Sequence, residues 1–489
     1  MKPKPGFWRW RNIIWLTLGV SLLTLVAWSA WAVHWAFNAQ PGSSVDYAAK
    51  AEALVASYQT DVAHEPNGWE ELQAACDLWQ ATEAAYQKPF RAQEPPPADW
   101  PTSYAWPPSI SDALAADAPD FVLEHCRAMI AAAEQAGAFS RLGALRDRSH
   151  IAKPIPPGKL IETLLSIRMN ARGLGRACAA RQRFAHQAGD EAAMLASFRD
   201  SLTLARAFGR QAGMIDQMTG IALQGLALSE LRFELLERPP SESTLRALLH
   251  AIDRLDLEPG IELLFEGERL LALDSIQWTH SDDGNGNGRL IPSIAAPFFV
   301  MMEDVYMPES RLGNLAGFVY PSKRKTTLVI NDLFDHAIGR SRFPPSNREG
   351  PTNTDRANAL PRNQVFGRLF SLLFDNSQGT HDHADLERAF IRTMLAIEIH
   401  RARTGSPPAT LADLVPGILP ALPVDPWNSD GFVYRLDASK PWGYILYSKG
   451  ADSVDDQAPY NPETNIHAIR STGAGTDFHF VYPRYRFGD

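Results

Sequence analysis

Residues 159–188 read KLIETLLSIRMNARGLGRACAARQRFAHQA, and within them Leu160, Leu164, Ile167, Ala171, Leu174 and Cys178 recur at steps of four and three. That spacing lines up small and apolar side chains on one face of an α-helix, the face a core must cover. The pattern returns downstream. Leu195, Phe198, Leu202 and Ala205 form a second stripe after Gly189-Asp190, and Ile221, Gly225, Leu228, Leu231 and Leu235 form a third after Gly209–Gly213. Pro239-Pro240 stops that helix, because proline lacks an amide hydrogen and clashes with the preceding turn. Leu245, Leu248, Leu249, Ile252 and Leu255 make a fourth stripe. Breaks this close predict antiparallel helical hairpins, and residues 45–260 form the expected helical body. Cys178 sits on the buried stripe and is expected to be a small core residue rather than a reactive thiol. Arg168, Arg172, Arg176, Arg181 and Arg183 are expected on a solvated face, with a binding groove as the alternative.

Upstream lies a different kind of segment. Residues 1–12 carry Lys2, Lys4, Arg9 and Arg11 and no acid, and the 25 residues Ile13–Phe37 contain no Asp, Glu, Lys or Arg. About 20 apolar residues in a helix cross the hydrocarbon core of a bilayer. Six of the chain's 13 tryptophans fall here, Trp8, Trp10 and Trp15 before the centre and Trp28, Trp31 and Trp35 after it. Indole rings favour headgroup interfaces, so two flanking trios predict one transmembrane helix over residues 13–37. A cleavable signal peptide is the alternative, although its apolar region runs only about 7–15 residues. The basic tip predicts a cytoplasmic N-terminus with the bulk of the chain outside.

Composition sets limits on the rest. With 47 Lys+Arg against 56 Asp+Glu the net charge is −9 over 489 residues, and removing the basic tip makes the exported body more acidic still. An acidic surface argues against nucleic acid as a partner. Cys76, Cys126 and Cys178 are too few and too scattered for a disulfide framework, and none has CxxC spacing. At 45% hydrophobic and 21% charged residues, the chain has ample material for buried cores.

Two loops suggest calcium. In Asp283-Gly284-Asn285-Gly286-Asn287-Gly288-Arg289, oxygen ligands alternate from Asp283 through Asn285 and Asn287, Gly288 permits a turn, and Arg289 offers a backbone carbonyl. This is the first half of a calcium loop; its closing glutamate position is Ile294. A plain Gly/Asn turn is the alternative. Residues 261–360 are expected to connect the body to a C-terminal unit over 361–489, with an extended Pro-, Asn- and Arg-rich stretch at 340–365. In that unit a helix is predicted from Asp385 to about Arg403, followed by strands at 431–435 and 443–447. The second strand leads into Asp452, Asp455 and Asp456, three carboxylates that repel one another unless solvated or bridged by Ca²⁺. The alternative there is an exposed acidic turn.

The order of Pro423, Asp425-Pro426-Trp427, the two strands and Ser448-Lys449-Gly450-Ala451-Asp452 resembles the soluble domain of the type II secretion major pseudopilin. The resemblance covers about residues 385–470 and extends to Thr464-Asn465-Ile466. It implies a helix packed on a small antiparallel sheet, a calcium site at Asp452, and protein partners in the cell envelope related to secretion. Gly6-Phe7 looks like a prepilin-peptidase junction, but Arg11 stands where that family has glutamate. The whole chain resembles large, uncharacterised bacterial membrane-anchored proteins carrying such a module, and the body has a loose likeness to tetratricopeptide-type packing. The expected fold is therefore mainly α with a C-terminal α+β module.

Catalytic signatures are sparse. His381-Asp382-His383-Ala384-Asp385 is the best catalytic-looking cluster and could bind a transition metal, but a polar helix cap accounts for it more simply. No Gly-x-Ser-x-Gly elbow, phosphate loop, His-Glu-x-x-His helix or dinucleotide fingerprint occurs. The expected function is non-enzymatic: a scaffold with a calcium-stabilised module for protein contacts. An extracytoplasmic metal-dependent hydrolase, with its site between body and C-terminal unit, is the alternative.

Overall fold

Helices dominate the computed structural model, which describes residues 5–42, 44–59, 65–92, 106–115, 117–160, 171–255, 257, 260–299, 305, 307–372, 374–428, 430–450, 453–455, 457 and 477–479. The N-terminal apolar segment is one helix, α1 (Pro5–Asn38). Then come α2 (Tyr47–Ser57), α3 (Trp69–Arg91), α4 (Asp120–Gln135) and α5 (Ala138–Gly143). The periodic stretch gives α6 (Ala171–Ala188), α7 (Glu191–Gly209), α8 (Met214–Glu237) and α9 (Glu242–Asp253), broken where Gly189, Gly209–Gly213 and Pro239-Pro240 predict. Next are α10 (Ile261–Thr279), α11 (Pro292–Phe299), a 3₁₀ turn at Leu312–Phe318, α12 (Lys323–Ser341), α13 (Asn353–Asn358) and α14 (Val365–Ser371). The last helix is α15 (Phe374–Thr404), and β1 (Val433–Leu436), β2 (Tyr444–Ser448) and β3 (Phe478–His479) form one antiparallel sheet in that order. The fold is mainly α with a small C-terminal sheet, as expected.

The stripes are buried as their spacing requires. Leu174, Cys178, Phe198, Leu228, Leu231, Leu245 and Leu248 have no solvent exposure. Each such Leu or Phe stabilises the fold by roughly 1.5–3 kcal/mol relative to an exposed one. One core joins α3–α7, with Trp79 and Phe139 in it; a second joins α2, α10–α12, α14 and the start of α15. A third joins α7–α9 to α15 and to the sheet through Tyr444 and Leu446. Helix α15 therefore belongs to two cores.

Two expectations need correction. Helix α15 starts at Phe374, not near Asp385, so His381-Asp382-His383 lies inside a helix and is not its cap. Burial of Phe374, Ser377 and Gln378 in the second core accounts for the extra turns. The arginines of α6 also divide. Arg172 and Arg176 are exposed, but Arg183 is buried and donates to the carbonyls of Ala113 and Ala115, while Arg181 pairs with Asp200 and Glu134. Arg168 lies outside the described residues.

Helices α7 and α8 cross at a contact that only glycine permits. A Cβ on Gly220 would lie 2.5 Å from the Gly209 nitrogen and 2.8 Å from the Ala205 oxygen. Gly220→Ala is expected to destabilise the fold by about 1–3 kcal/mol, overpacking outweighing the gain in helix propensity. Gly339 in α12 has open space around it, so Gly339→Ala should stabilise by about 0.5–1 kcal/mol. Urea denaturation followed by helical circular dichroism checks both signs.

Candidate functional site

The acidic end of the sheet forms where β2 stops. Tyr444, Leu446, Tyr447 and Ser448 are all buried, because aromatic and branched side chains here pack on α15 and on neighbouring strands. Tyr447 pairs with Val433 on one side and His479 on the other. Its hydroxyl donates to Asp455 Oδ1 at 2.7 Å, and the Gln457 amide donates to the same oxygen at 3.0 Å. The Tyr447 bond is the main reason the Asp455 carboxyl is held below its usual range. Burial, with Asp455 and Asp477 nearby, pushes the Tyr447 phenol up. Ser453 and Gln457 flank Asp455 with φ of +57° and +48°, a left-handed backbone that costs non-glycine residues energy and concentrates at functional loops.

Below this loop sits the Asp-Pro-Trp turn. Asp425 is buried, and its Oδ1 accepts the Trp427 amide at 2.9 Å while its carbonyl accepts the Asn428 amide at 3.2 Å. Burial raises the Asp425 carboxyl, with the Ser448 hydroxyl and the two amides opposing that rise. Asp477, at the start of β3, is buried too. Sequence reasoning assigned a ligand role to neither Asp425 nor Asp477. The resemblance motif contained the first, whereas the second lies far along the chain and has no local signal. Asp452 and Asp456 lie outside the described residues, as do Thr464-Asn465-Ile466. Among the described residues, no three His, Cys, Asp or Glu side chains converge to hold a metal ion.

The 281–290 loop is separate and closes on itself. Ser281 N donates to the Arg289 carbonyl at 2.8 Å, and His280 bridges to Leu290. Asp283 Oδ1 accepts the amides of Asn285 at 2.9 Å and Asn287 at 2.8 Å, which hold its carboxyl below the usual range. The predicted ligand carbonyl of Arg289 is thus taken up by Ser281, and Asn285 and Asn287 project into solvent.

A third place is a cleft of about 420 Å³ lined by Gly209, Gly220, Gln224, Arg342, His381 and Arg388, among others. Charges around it are paired: Arg348 forks onto Asp382, Arg388 onto Asp385, and Arg342 onto Glu262 at 2.9 Å. Burial pushes the His381 imidazole down to about 4, helped by Arg388, and burial also pushes His383 down to about 4, helped by Arg232. Both rings are therefore neutral at pH 7. His381 Nε2 and Gln224 Oε1 lack hydrogen-bond partners among the described residues and are closed to solvent, so they lie behind the cleft wall. Glu387, on the next turn of α15, is pushed up to about 7 by burial, with Arg232 opposing.

Comparison with family models, curated proteins and solved structures finds no match to this chain.

The cleft histidine makes a pH prediction. Its unfolded form takes a proton near 6.5 and its folded form only near 4, so stability present above 6.5 is lost as pH falls towards 4. His381→Gln should make that acid limb shallower by on the order of 1–3 kcal/mol between pH 7 and pH 4.5. Urea midpoints measured across that range test it; an unchanged limb rules it out.

Proposed function

We propose that this chain is a non-enzymatic, single-pass, membrane-anchored envelope protein whose helical body holds a calcium-stabilised, pseudopilin-like module against protein partners, in a role related to secretion. Its N-terminus is cytoplasmic and its bulk lies on the extracytoplasmic side of a bacterial inner membrane. One helix is long and apolar enough to cross a membrane, Val20–Asn38 being the qualifying stretch among the described residues. Leu18, Leu22, Leu23 and Leu25 on that helix are all more than half exposed, which is costly in water and favourable in lipid.

The observation that carries the reading is continuity of packing from the anchor to the sheet. The Asn314 amide nitrogen donates to the Ala36 carbonyl at 2.9 Å, and Lys323 Nζ donates to the Gly42 carbonyl at 2.8 Å. Further on, Phe390 and Met394 of α15 are buried against the body, and Glu398 of the same helix accepts from the Tyr444 hydroxyl of β2 at 3.3 Å. A module welded to its support in this way suits presentation of a fixed contact surface. The strained acidic loop at Asp455, with Asp452 and Asp456 beside it in sequence, is the part offered for calcium and partners.

A second reading, the metal-dependent hydrolase, draws on the cleft beside His381. It is weaker, because Asp382, Asp385 and Glu262 already spend their charge on arginines.

The test uses the full chain in detergent. Calcium near millimolar should raise the melting temperature by several degrees over the chelated protein, as binding to the folded state requires. Asp452→Ala should abolish that shift, and envelope partners captured with calcium should be released by chelation. A melting temperature indifferent to calcium removes the calcium site; zinc-dependent hydrolysis lost in His381→Gln would favour the second reading.

A further inference from the structure

The outward tryptophans of α1 are not simply a lipid-facing belt. Trp28, Trp31 and Trp35 all pack edge-on against Phe318, with ring centroids 5.7, 5.8 and 5.0 Å away. Ala32 and Ala36 are buried at the same junction. Gly317 permits the approach: a Cβ there would lie 2.1 Å from the Leu290 oxygen and 3.3 Å from the Trp35 ring. Since about 20 helical residues cross the hydrocarbon core, a span ending at Trp31 begins near Asn12. That places Trp28–Trp35, and Phe318 with them, at headgroup depth.

The surface next to Phe318 has the character of an interface. Val319 is 70% exposed and Leu312 55%. Beside Val319 runs a groove of about 570 Å³ lined by Asn287, Arg289, Phe318, Tyr320, Lys325 and Asn363, among others, with no acidic residue in its wall. The Arg289 guanidinium lies 5.5 Å from the Phe318 ring centre. Lys325 and its exposed neighbour Arg324 stand in the first turn of α12, and no acid offsets them there. Asp282 and Asp283, in the loop that carries Arg289, turn their carboxylates onto amides of their own loop.

We infer that this groove, flanked by Val319, rests on the bilayer and binds the anionic headgroups of phospholipids through Arg289 and Lys325. The inference builds on the reading of α1 as a membrane span. It makes the anchor a two-part device: α1 fixes the chain in the membrane, and the 3₁₀ turn with the α12 start fixes the tilt of the body above it. The occupant is lipid because the groove continues from the anchor's own tryptophans and because its charge is one-sided.

The test places a fluorophore on Val319→Cys in the full chain; the native cysteines, Cys76, Cys126 and Cys178, are buried. The protein is reconstituted in phosphatidylcholine vesicles with and without phosphatidylglycerol, each lipid in turn carrying a headgroup nitroxide. Quenching by phosphatidylglycerol should exceed that by phosphatidylcholine about five-fold or more, and Arg289→Gln with Lys325→Gln should bring the two to parity. Equal quenching in the unsubstituted groove, or a label open to aqueous iodide and untouched by lipid quenchers, overturns the inference. Protection that rises with protein density and ignores lipid composition overturns it in favour of a second copy of the chain. Alkaline carbonate separates the two levels: a chain stripped from the vesicles defeats the membrane span itself, whereas a retained chain without quenching defeats this inference alone.

Discussion

Burial of α15 along most of its 31 residues is the constraint on which the rest of the structure depends. Its first turn enters the core around α10 and α12 through Phe374, and its second half fills the core of α7–α9 with Leu386, Phe390, Met394 and Ile397. A helix enclosed on several sides has only a narrow solvent face, with Asn376, Thr380 and Asp385 on it, so several other polar residues are buried. Asp382, Glu387 and Glu398 are accordingly buried, and each needs an answer from another element. Arg348 from the preceding loop answers Asp382, Arg232 from α8 faces Glu387, and Arg401 with Tyr444 faces Glu398. Truncating one partner of such a pair leaves a buried charge, and that penalty ties distant parts of the chain to one arrangement.

These answers have opposite electrostatic outcomes for acids and bases. Burial pushes Glu268, Glu387 and Glu398 up to about 7 and pushes His280, His381 and His383 down to about 4. The buried glutamates favour the fold at low pH, since their unfolded forms lose protons first as pH rises. The buried histidines favour it at high pH, by the reverse argument. The two sets oppose each other between about 4 and 7, so stability in that window is a balance rather than a slope set by one group.

The helical stripes were legible because burial of one face writes a 3.6-residue period into the sequence. Leu245, Leu248, Leu249 and Ile252 show it, and all four are buried. The strands were legible too, from Val433, Tyr434, Tyr444 and Ile445. What stayed hidden is polar burial. Arg183 and His381 look like residues of a solvated face or a cap, and nothing within a helical turn reveals that Ala113 and Ala115 carbonyls or a neighbouring helix will enclose them. The tryptophan trio stands out in the sequence beside the apolar run, but its protein partner does not, since Phe318 lies nearly 300 residues further along and carries no local mark. The cleft was likewise out of reach: Gly209 marked only the end of a helix and Gly220 carried no signal, whereas here they let two helices touch.

The two acidic loops differ in what a cation has to displace. The 281–290 loop has already committed its oxygens: Asp282 and Asp283 accept backbone amides, and the Arg289 carbonyl accepts Ser281. An ion there must break those bonds and gains at most two exposed carboxylates. At the end of β2 the balance runs the other way. Asp425 and Asp477 are buried, Ser453 and Gln457 on either side of Asp455 have a left-handed backbone, and burial raises Asp425 despite its hydrogen bonds. Buried carboxylates carry a desolvation cost, which falls here on Asp425 and Asp477. Lys323 and Arg324 already donate their amides to the Gly288 and Gly286 carbonyls, which fixes the other loop as a structural brace beneath α12. The motif that most resembled a calcium loop in sequence thus carries the hydrogen bonds that hold the start of α12.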